Sequence, residues 1–289
     1  MLFFACVFPS SFVDAAVTSV DDSQRRITLN KPAQRIISLA PHATELLFAA
    51  GAGSQIVGVS DYSDYPDQAK KITSVGNIFA LDLERVIALK PDLVVVWGTG
   101  NAKLLTSKLR ENHVTVFESE PHDFEAIASS MERLATLTGT TAIGFAAAEK
   151  FRTRLASLRQ NYKLKDTQKY ISVFYQVWRK PLITLNDQHL VSQAIHLCGG
   201  KNIFGNMKEI SPTISVESVL SQNPQVIIAS TGEKQDVLAD WLQFPGLLAV
   251  SKNNLFTVEG DWINRSGPRI LDGTEVLCQR LANVRNKLK

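Results

Sequence analysis

Cysteine is scarce in this sequence: three in 289 residues, with no C-x-x-C pair among them, which argues against a cysteine-built metal site. Catalytic signatures are missing too. There is no G-x-S-x-G elbow, no P-loop with its lysine and serine, and no H-E-x-x-H, so the common hydrolase, nucleotide-cleaving and zinc-protease classes lose their support. The five histidines, at 42, 113, 122, 189 and 196, show no ligand-type spacing along a helix face. A surface or capping role suits each, with His42 set apart because PHATE opens a helix just after a strand. Basic clusters are lacking as well: the net charge is +3 and the lysines and arginines are dispersed, which excludes a phosphate-backbone footprint and makes nucleic acid a poor partner. Beyond the amino terminus no apolar run approaches the roughly 20 residues that span a bilayer, so the mature chain is expected to be soluble.

What is present begins with a leader. MLFFACVFPSSFVDAAV is an apolar stretch followed by small residues, with Val13 and Ala15 placed for cleavage, and it reads as a secretory signal over residues 1–15 that lacks a positive start. Pro9 and the serines break it as a buried helix. Cys6 falls inside it, in an LFFAC that loosely resembles a lipobox but lies very near the start. Export leaves Cys198 and Cys278 as an even pair in an oxidising compartment, which favours a disulfide over two buried free thiols.

With 45% hydrophobic and 20% charged residues, the chain has room for two moderate domains. Strand-like runs at RIISL (35–39), IVGV (56–59), LVVVW (93–97) and VTVF (114–117) alternate with helical segments at 42–50, 82–90, 101–112 and 123–138. Such alternation predicts βαβ units on a parallel sheet. A long helical pattern follows at 140–163; then the alternation resumes with YISVFYQVW (170–178), a helix at 188–198 ending at Gly199-Gly200, LFTV (255–258) and a terminal helix from about 269. The expected fold is α/β: an N-terminal lobe over 25–138, a backbone helix over 139–163 spanning roughly 30 Å, and a C-terminal lobe over 168–289. In AAGAG, Gly51 is read as a helix cap rather than a phosphate cradle.

One phrase occurs twice. DLERVIALKPDLVVV (82–96) aligns without gaps to SVESVLSQNPQVIIA (215–229), matching Glu84 with Glu217 and Pro91 with Pro224. Each copy supplies a cap, a helical turn opening on a carboxylate, a proline stop and an apolar strand. A first-turn carboxylate gains about 0.3 to 1 kcal/mol from the helix dipole; that does not explain why each lobe carries one. Two matched carboxylates suit a partner that is itself two-fold. Aromatics gather elsewhere: Tyr62 and Tyr65 follow IVGV, Trp97 and Trp178 close strands, and Trp262 and Arg265 lie in the loop-like GDWINRSGP. Carboxyl ends of strands are where open α/β sheets place ligand crevices, whereas Trp241, in DVLADWLQF, reads as core.

RIISLAPHATELLFAAGAGSQIVGVSDYSDYP, LDLERVIALKPDLVVVW, CGGKNIF and SGPRIL together resemble the helical-backbone substrate-binding proteins of ABC importers, and among them those that carry cobalamin. The resemblance covers about residues 33 to 284. It implies two α/β lobes joined by a rigid helix, a corrinoid held between them by Tyr62, Phe79, Trp97, Trp178, Trp262 and Arg265, and delivery by a monomer in the periplasm to a dimeric inner-membrane permease. Glu84 and Glu217 correspond by resemblance to docking glutamates, and Cys198 with Cys278 to a disulfide pair. No catalytic residue, metal or cofactor is implied; cobalamin is cargo. Where relatives place tryptophans near the two glutamates, this chain has Ile78 and Ser211, with Phe79 beside the first. Haem or an iron-siderophore is the alternative cargo, and an exported metal-dependent enzyme using His42 the alternative from another class.

Overall fold

The computed structural model describes residues 15–77, 80–101, 103–165, 168–231 and 237–287; most of the expected leader, together with Ile78 and Phe79, lies outside the described residues. The chain opens with an antiparallel hairpin of β1 (Val17–Val20) and β2 (Arg26–Leu29), whose Ile27 and Leu29 point inward on alternate positions. It continues through β3 (Ile36–Ser38), α1 (Pro41–Ala49), β4 (Ile56–Val59), α2 (Leu83–Ala88), β5 (Leu93–Trp97), α3 (Lys103–Glu111), β6 (Val116–Ser119) and α4 (Phe124–Thr138). After α5 (Thr141–Tyr162) come β7 (Ile171–Gln176), α6 (Leu190–Leu197), β8 (Gly200–Asn202), α7 (Val216–Gln222), β9 (Val226–Thr231), α8 (Leu248–Ser251), β10 (Leu255–Glu259), α9 (Gly260–Ile263) and α10 (Ile270–Lys287).

Two parallel four-stranded sheets result, ordered β4-β3-β5-β6 and β8-β7-β9-β10. Both therefore have their second strand at one edge, then the first, third and fourth. In that scheme α2 and α7 occupy the same place, each leading into its sheet's third strand, so the repeated phrase marks topologically equivalent units. The local chemistry repeats as well. Asp82 accepts from the Arg85 backbone N–H at 2.9 Å and Ser215 from that of Ser218 at 3.2 Å, capping each helix. Immediately before each proline the backbone turns left-handed, at Lys90 (φ 48°) and Asn223 (φ 42°), and sends the chain into the sheet.

The two sheets share one interior. Helix α5 buries Gly144, Ala148, Phe151, Leu155 and Leu158, a three-and-four spacing that keeps one stripe inward. A methyl added at Gly144 would lie 2.2 Å from the Ala135 Cβ, so α4 and α5 approach at van der Waals contact because of that glycine. A single buried cluster runs from Leu46 and Leu134 through Phe151 and Leu158 to Leu190, Leu277 and Leu281, crossing from one lobe to the other. Cys198 and Cys278, both fully buried, form a disulfide with Cα atoms 4.5 Å apart, tying the end of α6 to α10. Trp241 is core, as its helical setting predicts, with its indole N–H donated to Gln176 at 2.8 Å. Gly51 adopts φ 87° at the end of α1, the left-handed cap expected of it. Among the described residues no helix is long and apolar enough to cross a membrane.

Candidate functional site

The carboxyl ends of the two sheets converge. From the loop after α9, Arg265 reaches across to the first lobe, where its Nη1 donates to Asp64 at 2.8 Å and to Glu45 at 3.2 Å; its Nη2 pairs with Asp261 at 2.7 Å. Arg269 follows the same route, binding the two Glu45 oxygens at 2.6 and 3.0 Å and lying 4.0 Å above the Tyr65 ring. Glu45 retains only 2% side-chain exposure, and two arginines neutralise it there. Burial pushes the Asp64 carboxyl up, but the hydrogen bond and charge of Arg265 outweigh that and hold it below its usual range. On another side of the junction, Gln193 of α6 donates to the His122 carbonyl at 2.9 Å. Charged and polar groups from both lobes thus form a floor.

Three of the expected aromatics lie at or just beyond strand ends. Trp97 ends β5 with 37% of its surface exposed. The edge of His42 meets it at 5.9 Å and 81°. His42 itself is buried, with Nε2 3.3 Å from the Ser119 carbonyl, and burial lowers its pKa to about 4, so at neutral pH it is an uncharged ring that packs and donates. Tyr62 sits at a left-handed loop position (φ 64°) after β4 and is 77% exposed. Trp178, 61% exposed beyond β7, is tethered through its indole N–H to the Lys180 carbonyl at 3.0 Å. Trp262 lies half-buried on α9, next to the Arg265 partner Asp261. Among the described residues Tyr62, Trp178 and Trp262 make no ring contact with Trp97 or with one another. Phe79 lies outside the described residues.

Sequence reasoning anticipated Arg265 but not its partners. The pairs Arg265–Asp64, Arg265–Glu45 and Arg269–Glu45 join residues 201, 220 and 224 apart, and nothing local marks such pairs. Their only visible signal is that each sits inside a motif already singled out: Glu45 in PHATE, Asp64 in YSDYP, Arg269 in SGPRIL. Among the described residues no three His, Cys, Asp or Glu side chains gather as a metal-holding group, and His42 faces a carbonyl and an indole rather than carboxylates. A cavity of about 770 Å³ opens between α1, α5 and the start of α10, walled by Phe48, Tyr65, Phe151 and Arg269. None of Tyr62, Trp97, Trp178 or Trp262 belongs to its wall. Away from the cleft, Glu84 and Glu217 are exposed in the first turns of α2 and α7. The Glu217 carboxyl is held below its ordinary value by its own backbone N–H and the Ser215 hydroxyl, so it presents a charge.

The profile of a family described as periplasmic binding protein matches residues 36–261. The Vitamin B12-binding protein of Vibrio cholerae serotype O1 is 40% identical over 254 residues, covering 86% of this chain and 90% of that one. Its counterpart in Yersinia pestis is 37% identical over 254 residues, covering 87% and 88%. Among solved structures, the periplasmic Vitamin B12 binding protein BtuF of Vibrio cholerae superposes with a TM-score of 0.80 at 39% identity, over 88% of this chain and 98% of that one. A possible iron-binding (periplasmic solute-binding) protein from Staphylococcus epidermidis superposes at 0.76 with 25% identity, covering 86% and 99%.

Proposed function

The chain belongs to the periplasmic binding protein family, and from that premise we propose that it captures cobalamin or a related corrinoid between its lobes and hands it to an ABC permease. It performs no chemistry of its own. The observation that best supports this reading is the exposure of Tyr62, Trp97 and Trp178 at or just beyond the ends of β4, β5 and β7. A corrin is a broad, amphipathic ring system with polar arms; flat apolar walls with a few convergent polar groups are what such a ligand needs. Trp262 adds a half-buried wall, with the ion pair of Asp261 and Arg265 on either side of it in sequence. Phe79 completes the set in this reading. The relatives named for vitamin B12 match along most of their length, which supports the same cargo over haem or an iron-siderophore.

Delivery follows from the repeated helices. Glu84 and Glu217 stand exposed at equivalent positions of the two lobes, a pseudo-symmetric pair suited to a two-fold permease in the inner membrane. In this reading the protein works as a monomer in the periplasm, its leader removed. The deciding experiment is a calorimetric titration of the mature protein with cyanocobalamin, run beside haem and a ferric siderophore. Saturable one-to-one binding of cyanocobalamin is expected; silence with it and binding of an iron complex would reassign the cargo.

A further inference from the structure

We propose that Glu120 is a positioning residue that locks the Trp97 indole as a preformed wall of the cleft, an inference that rests on Trp97 facing the ligand. Among the described residues of the expected set, Trp97 is the aromatic that the structure holds from several directions. Glu120, just beyond β6, accepts the indole N–H of Trp97 at 3.3 Å through Oε1. Its other oxygen accepts the Thr99 backbone N–H at 2.7 Å, and the Thr99 hydroxyl donates to Oε1. One carboxylate therefore binds both the ring and the turn that follows it.

The surrounding sequence is built to admit that contact. At Gly98 an added methyl would stand 2.6 Å from Glu120 Oε2. At Gly100 it would stand 1.9 Å from the indole Cε3, so the ring lies directly against the glycine backbone. Asn101 closes the turn, its Oδ1 accepting the Trp97 backbone N–H at 2.7 Å and its own N–H donated to the Trp97 carbonyl at 2.9 Å. The His42 ring packs nearly perpendicular to the indole. Glu120 is itself braced: its backbone N–H is donated to Asp22 at 2.5 Å, and Asp22 is bound by Arg133 at 2.6 Å. Gly98 and Gly100 thus share a reason: both make room for one Trp–Glu pair.

A tryptophan at the surface normally samples several rotamers, and fixing one before the ligand arrives removes that cost from binding. Glu120 then acts through Trp97 rather than on the ligand. The test is a double-mutant cycle with cyanocobalamin as the probe. Glu120→Ala is expected to weaken binding about tenfold, and Glu120→Gln, which keeps the acceptor for the indole, by less. In a Trp97→Ala background the Glu120→Ala change should alter affinity by less than twofold. An equal loss in both backgrounds would mean direct contact with the ligand and overturn the proposal. Gly100→Ala, which leaves the carboxylate in place but drives a methyl into the ring, should reproduce the loss.

A second readout needs no ligand. The near-ultraviolet circular dichroism of Trp97, isolated by subtracting the spectrum of Trp97→Ala, should collapse in Glu120→Ala while thermal stability changes little. Persistence of that signal would refute the locking role even if binding fell. Failure of wild-type protein to bind cyanocobalamin would instead count against the cargo, and the spectroscopic arm would still decide the role of Glu120.

Discussion

Removing the Glu45 carboxylate is the sharpest perturbation the structure offers. Glu45 is 2% exposed and serves two arginines that reach it from the other lobe, themselves only 14% and 13% exposed. Deleting one member of a buried, hydrogen-bonded charge cluster typically costs about 3 to 5 kcal/mol, because the remaining charges stay buried without compensation. Arg265 keeps Asp64 and Asp261, but Arg269 has no other carboxylate partner among the described residues and is left against the Tyr65 ring. For a chain of this size each kcal/mol moves the melting temperature by about 2 °C or slightly more, so Glu45→Ala should melt about 6 to 10 °C below wild type. Glu45→Gln, of the same shape without the charge, should fall between. Removing the exposed Lys70–Asp67 pair with Lys70→Ala is the control, expected to change little. Calorimetric scans at low and high salt check the argument, since a buried cluster is weakly screened and salt should not erase the difference. A loss under about 2 °C for Glu45→Ala would refute the view that this cluster clasps the lobes.

Three further outcomes are expected. Replacing both Glu84 and Glu217 by alanine should leave cyanocobalamin affinity within twofold yet abolish uptake in cells lacking the native binding protein; normal uptake would remove the docking role. Breaking Cys198–Cys278, which are 80 residues apart, by double substitution with serine should cost up to about 4.5 kcal/mol on chain-entropy grounds, read as a lowered guanidinium midpoint; an unchanged midpoint would mean the bond adds nothing. Stability should also fall in mild acid. Burial lowers the pKa of both His42 and His189 from 6.5 to about 4. The unfolded chain protonates these rings below 6.5 while the folded one resists to about 4, so each histidine removes about 1.4 kcal/mol per pH unit across that window. His189 must stay neutral for its Nδ1 to accept the Val191 N–H that caps α6. His189→Asn, which restores a capping acceptor, should flatten the profile by one histidine; a flat wild-type curve between pH 6.5 and 4.5 would contradict the assignment.

The sheets were legible because fully buried parallel strands are written as apolar runs, and RIISL, LVVVW and SVFYQV carry little else. The strand expected at 114–117 runs instead over Val116–Ser119, since left-handed His113 turns the chain and Val94 pairs with Val116. Strand β8 escaped notice because Gly199-Gly200 reads as a helix stop: Gly199 does close α6, at φ 73°, but Gly200 already pairs with Ile171. The hairpin of β1 and β2 was also missed, because its short strands alternate with polar residues. The aromatics and Arg265 proposed for the site were named from the sequence. Invisible were the long-range partners: Glu45 for Arg269, Asp22 for Arg133, Glu120 for Trp97. Each pairing depends on how two segments distant in sequence meet, and the periodicity of neither segment marks the partner.

That distinction between strand cores and loop partners bears on how the protein works. Because one hydrophobic cluster passes through α5 and α10 from lobe to lobe, rotating the lobes apart would shear buried contacts rather than flex an exposed linker. The charged floor resists the same motion, since Arg265 and Arg269 would have to leave Glu45 while still largely buried. Large closure about the ligand is therefore disfavoured, and affinity must come from walls already in place. On the proposed reading, a binding site that closes little cannot signal its cargo through a large change of shape. Glu84 and Glu217 ride on helices that lead directly into the third strands, and Trp97 ends one of those strands. A displacement of β5 by a bound ring would reach α2 through a single turn at Lys90 and Pro91.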